Sequence, residues 1–140
     1  MKDVIISLEG LQTDPQGEEE RISLTTIGTL SQGEEGLLLC YEETITTGLE
    51  NTTTTFIVEE HQTTLKREGE LYSQMVFQAG RRHLSLYNTP YGSLTITVHT
   101  HKLESSLSYD GGRLEIHYDV EINQEMVGRN IFDISVKVKQ

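Results

Sequence analysis

The 140-residue sequence predicts a single all-β domain, 1–140, built as a closed antiparallel up-and-down barrel of about eight to ten strands. Three observations carry this. Apolar residues recur at every second position in one segment after another, the period of a half-buried strand. No window of a dozen residues shows the i, i+3, i+4, i+7 spacing of a helix. Threonine, whose branched Cβ suits a strand, occurs 17 times, whereas alanine occurs once, at Ala79. The segments are joined mainly by short turns, so neighbours pair as a meander, and a meander removes its exposed edges by closing on itself. A two-sheet sandwich is the alternative arrangement.

The strands follow in order. Val4, Ile6 and Leu8 share one face of the first. Thr13-Asp14-Pro15-Gln16-Gly17 and the acidic run Glu18–Glu20 form a turn before the second, in which Ile22, Leu24 and Thr26 align. Gly33-Glu34-Glu35-Gly36 closes it. The third alternates Leu37, Leu39, Tyr41, Glu43 and Ile45 against Leu38, Cys40 and Glu42. After Gly48-Leu49-Glu50-Asn51 the fourth runs from Thr52 to Glu60. Thr63, Leu65 and Arg67 mark one face of the fifth, Leu71–Gln78 is the sixth, and Arg82–Asn88 the seventh. The turn Thr89-Pro90-Tyr91-Gly92 leads to the eighth, with Leu94, Ile96 and Val98 inside. Asp110-Gly111 predicts a type I′ hairpin pairing Leu107 with Leu114 and Leu103 with Tyr118. Leu114, Ile116, Tyr118, Val120 and Ile122 alternate in the ninth, and Phe132, Ile134, Val136 and Val138 in the last. Between Val98 and Leu103 the apolar parity changes from even to odd. Keeping both residues inside takes one extra residue, so a β-bulge is expected near His101-Lys102.

Charge narrows the function classes. With 22 Asp and Glu against 11 Lys and Arg, the formal net charge is −11. Such a chain is repelled by phosphate backbones and anionic lipid, so neither nucleic acid nor membrane is expected as a partner. Cys40 has no second cysteine to pair with, and the start of the chain holds Lys2, Asp3 and only the apolar run Val4–Ile6. No signal peptide is expected, and the setting is read as cytoplasmic.

No catalytic constellation is legible. Cys40 reads as a small half-buried hydrophobe, no serine sits in a Gly-x-Ser-x-Gly turn, and adjacent strand residues such as Glu42 and Glu43 face opposite ways. His99 and His101, two apart, would point together and could chelate a metal. However, no third ligand stands at recognisable spacing, and the bulge is expected to separate the rings. The expectation there is a solvated cross-strand polar ladder, with no metal and no cofactor.

Arg67 and Glu43 stand out because they share parity with apolar residues. Inside a barrel neither charge is tolerated unpaired. They either form a structural network with each other and the tyrosines, or Arg67 is held for an anionic ligand that its planar fork matches. The candidate ligand-binding residues are Arg67, Glu43, Tyr41, Thr54, Met75, Tyr87 and Tyr91. A cavity of about 300 Å³ or more beside Arg67 would favour binding, and a filled interior a scaffold.

Several stretches together also resemble a known family. They are Glu42-Glu43, Gly48–Asn51, Thr52–Thr55 and Ser73–Phe77, then Tyr87–Gly92, Thr100–Glu104 and Gly111-Gly112 with Tyr118. Across nearly the whole chain the sequence is similar to the YwiB-like family of small bacterial β-barrel proteins. The resemblance implies a lipocalin-like (calycin) barrel and supplies no activity. The chain has no Trp, so the Gly-x-Trp motif of secreted lipocalins is absent and their ligands do not transfer. The expected function is non-enzymatic binding of a small, partly apolar ligand, anionic if Arg67 is its partner. The rival is a protein-interaction or structural module acting through the outer face or barrel mouth, with an enzyme working inside the barrel third.

Overall fold

The structure is a computed structural model that describes residues 1–43, 51–69, 72–89 and 92–139. Among the described residues ten strands follow one another: β1 Lys2–Thr13, β2 Glu19–Gln32, β3 Leu37–Glu42, β4 Thr52–Val58, β5 Thr63–Gly69, β6 Tyr72–Phe77, β7 Arg82–Thr89, β8 Gly92–Ser105, β9 Gly111–Ile122 and β10 Glu125–Val138. Each pairs antiparallel with its sequence neighbour, and β1 pairs with β10, which closes the barrel. Among the described residues there is no helix. The expected strand-end residues Thr44, Ile45 and Leu71, and the turn residues Gly48, Leu49, Glu50, Pro90 and Tyr91, lie outside the described residues.

Alternation decides which side chains enter. Thr52, Thr54, Phe56 and Val58 of β4 are buried, with half-buried residues between them. Phe56, Phe77, Ile6, Leu39, Leu65 and Ile116 fill the lumen as one apolar cluster with Val4, Leu30, Leu114 and Ile134. Each such side chain is worth about 1.5–3 kcal/mol in removal from water. The lumen is graded along its axis. Towards the end where β3 finishes and β4 begins, inward positions turn polar (Glu43, Thr52, Thr54, Arg67 and Ser73).

Two turn expectations are revised. The β8–β9 hairpin has Tyr109 and Asp110 at its apex. Ser108 and Gly111 exchange both backbone hydrogen bonds, at 2.9 and 3.0 Å, and neither apex residue has positive φ. Ser105 therefore faces Leu114, and Leu103 faces Ile116 rather than Tyr118, a shift of two that keeps Leu103 on the face of Leu114 and Ile116. The glycines serve a close approach instead: at Gly112, φ +136°, a Cβ would stand 2.4 Å from the Ser106 carbonyl oxygen. The type I′ pattern of two positive φ values occurs in the β9–β10 hairpin, at Asn123 and Gln124 (53° and 68°). The bulge falls where expected, the register shifting between Thr100 and Lys102.

Gly112→Ala is expected to cost about 2 kcal/mol, since it adds a backbone clash to a strained φ. Gly17→Ala, with φ +86° and nothing within 4 Å, should cost about half as much. Paired urea denaturations read the difference, and equal midpoints would show that strand approach at Gly112 is loose.

Candidate functional site

The register brings the predicted polar residues into one row. Tyr41 of β3 faces Thr54 of β4, Thr54 faces Arg67 of β5, Arg67 faces Ser73 of β6, and Ser73 faces Tyr87 of β7. Glu43 lies two residues beyond Tyr41 on the same inward parity, and its backbone N–H donates to the Thr52 carbonyl at 2.9 Å. Adjacent glutamates thus part company. Glu42 accepts from Thr53 on the outer face (2.9 Å), whereas Glu43 accepts from Thr54 inside (2.6 Å). The Glu43 side chain is 1% exposed and that of Arg67 19%.

Arg67 and Glu43 form an ion pair with Nε 4.0 Å from Oε1, which neutralises charge but is too long for a hydrogen bond. The buried Nε–H of Arg67 finds no hydrogen-bond partner among the described residues, and neither does the buried Ser73 hydroxyl beside it in the row. Arg67 is thus paired for charge with Glu43, and its Nε–H is left without an acceptor among the described residues.

Tyr41, Glu43 and Arg67 edge a cavity of about 340 Å³ at the polar end of the barrel. Leu8, Ile22, Leu24 and Phe132 give it an apolar wall; Tyr41, Glu43, Arg67 and Tyr118 supply polar groups, and Gln12 and the carboxylate of Glu20 also line it. The other half of the lumen is packed, so the barrel is filled at one end and hollow at the other. A depression of about 370 Å³ at the opposite end is edged mainly by polar turn and strand-end residues such as Glu59, His61, Gln78 and Arg81. It offers little apolar wall to a ligand.

Of the predicted residues, Tyr41, Glu43, Thr54 and Arg67 come together. Met75 does not: it sits in the packed core opposite Leu65. Tyr91 and the Tyr87 side chain lie outside the described residues. Sequence reasoning passed over Tyr118, Phe132 and Ser73. Their signal was present, because each shares parity with apolar neighbours, but those residues read as ordinary wall until the barrel closes and sets β9 and β10 opposite β5.

The phenols are tuned by their surroundings. Burial raises Tyr41 well above its ordinary value, and the nearby Glu43 charge raises it further against the opposing Arg67. Burial lifts Tyr118 to about 12, with Arg67 pulling the other way. A phenol whose folded pKa exceeds its unfolded value of 10.0 stabilises the fold below pH 10. That stability is lost as pH rises towards about 12. In an alkaline titration, tyrosinate absorbance from Tyr41 and Tyr118 should therefore appear together with loss of β-sheet circular dichroism. Tyr118→Phe should remove one late tyrosine. Early ionisation of both in the folded chain would contradict their burial.

On the outer wall, His99 and His101 lie side by side, their ring centroids 4.4 Å apart, instead of being turned apart by the bulge. The extra residue is His101 itself. Thr100 faces Tyr118 and Lys102 faces His117, while His101 has no opposite number and its ring stays over that of His99. Further along, Glu115 accepts from His117 (2.7 Å) and Lys102 (3.3 Å), which hold its carboxyl below the usual range. Arg113 bonds Asp133 through both carboxylate oxygens.

The comparisons with known proteins agree with this architecture. The crystal structure of ywiB protein from Bacillus subtilis superposes with a TM-score of 0.87, covering 99% of this chain and 93% of that one at 21% identity. At that identity the likeness establishes the fold. No curated protein matches the chain. Residues 6–134 match the family model described as Domain of unknown function (DUF1934). The chain belongs to the DUF1934 family, and its barrel has the fold of the ywiB structure.

Proposed function

We propose that the protein is a non-enzymatic, cytoplasmic binding barrel whose polar mouth takes a small, partly apolar acid. The carrying observation is the buried Arg67 Nε–H, without a hydrogen-bond partner at the edge of a 340 Å³ cavity with an aliphatic and aromatic wall. A buried donor left unmade costs about 1–3 kcal/mol, and a ligand carboxylate placed against the guanidinium fork recovers it. The apolar body then lies along Leu8, Ile22, Leu24 and Phe132. Glu43 is held by Thr54 and sets the polarity: its charge offsets Arg67, so the site favours weak acids over polyanions.

The test is native mass spectrometry of the freshly purified chain. An adduct that is present in the wild type and lost from Arg67→Met supports the reading. A bare wild-type mass under conditions that retain ligands in a control lipid-binding protein would sink it.

A further inference from the structure

A second constellation lies on the outer wall, apart from the mouth. His99 and His101 of β8 and Asp119 of β9 each present one ligand atom, and these atoms lie within 4.8 Å of one another. The bulge creates the arrangement: Thr100, fully buried, points inward between the two histidines, and the inserted His101 brings its ring beside that of His99. Asp119 faces His99 in register and accepts from His101 Nε2 at 2.8 Å.

We propose that His99, His101 and Asp119 form a binding site for a divalent transition ion of the zinc class. Two imidazoles and one carboxylate suit zinc, cobalt, nickel or copper rather than calcium or magnesium, which prefer oxygen donors. Ligands about 2.0–2.1 Å from a tetrahedral ion stand roughly 3.3 Å apart. Small rotations of the half-exposed His101 ring close the present span to that distance. The ion replaces the proton shared between His101 and Asp119.

The carboxylate is already oriented for the task. Arg129 Nε donates to its other oxygen at 2.9 Å, and the Asp119 side chain is only 10% exposed against 41% for His101. The ion therefore has a fixed floor and an open, solvent-facing coordination position. A hydrogen bond from a second group is the usual support of a ligating carboxylate. Arg129 is more than half exposed, so water screens its charge from the ion, and the −11 net charge of the chain draws cations inward.

The other histidines are engaged elsewhere or isolated. His117 bonds Glu115, His83 contacts Gln78, and His61 stands beside Glu60.

Titration of the full chain with cobalt(II), followed by its visible d–d absorption, tests the site. The expected result is one equivalent bound with a band of tetrahedral or five-coordinate intensity, displaced by zinc. His99→Ala and His101→Ala should each weaken binding by roughly a hundredfold, and His117→Ala should leave it within about twofold. Both cluster variants change outer-wall side chains, and circular dichroism checks that each retains the fold. An absent band in the wild type, a band that survives His101→Ala, or equal loss in His117→Ala would overturn the assignment.

Discussion

Phe77→Ala should destabilise the barrel by about 3–5 kcal/mol, the largest single-residue effect expected in this chain. Phe77 ends β6 with its ring fully buried, 4.7 Å from the ring of Tyr118, which in turn stands 5.8 Å from Phe132. These three rings bridge the filled half of the lumen to the cavity wall. Truncation removes the transfer energy of the phenyl group and leaves a hole that a hydrogen-bonded barrel cannot collapse to fill. Because Tyr118 rests on the lost ring, the cavity wall should loosen as well. Urea unfolding followed by circular dichroism reads the loss. Leu84→Ala, at a position 77% exposed, should stay within about 0.5 kcal/mol. A loss below about 1 kcal/mol for Phe77→Ala would show that the lumen is not packed as described.

The second large effect is expected at Glu43. Glu43→Ala should cost about 3 kcal/mol, because it leaves the Arg67 guanidinium without its countercharge and Thr54 without its acceptor. The asymmetry of buried pairs gives a sharper form of the prediction. Replacing both partners together, Glu43→Leu with Arg67→Met, should recover most of the loss, since an apolar pair has no desolvation cost to offset. A double-mutant cycle measures the coupling. Additive losses would mean that the 4.0 Å contact carries no energy and that Glu43 is held wholly by other groups.

The faces of the barrel were legible from the sequence because period-two alternation reports inward and outward directly. Leu39, Tyr41 and Glu43 point in, as do Leu114, Ile116 and Tyr118, and the parity change before Leu103 marked the bulge. The turns were less legible. Asp110-Gly111 carries a strong hairpin signal, yet the glycines go to the close approach of Gly112 to Ser106, while Asn123-Gln124 takes the type I′ geometry without a glycine. Local turn preference lost there to cross-strand packing.

The site was half legible. Arg67 and Glu43 announce themselves as charges on an apolar parity, whereas Tyr118 and Phe132 become its wall only through closure of the sheet. The His99–His101–Asp119 cluster was hidden for a related reason. Its third member stands on another strand, and parity alone does not say that the inserted residue of a bulge stays beside its neighbour.

Calorimetric titration with a matched pair, a medium-chain carboxylic acid and the alcohol of equal length, tests the mouth most directly. The acid should bind more tightly by roughly ten- to a hundredfold, the worth of one charge-assisted hydrogen bond. Arg67→Met should abolish that preference, and Glu43→Gln should increase it by lifting a like charge. Equal binding of acid and alcohol to the wild type, or a preference for the acid that survives Arg67→Met, would contradict this expectation.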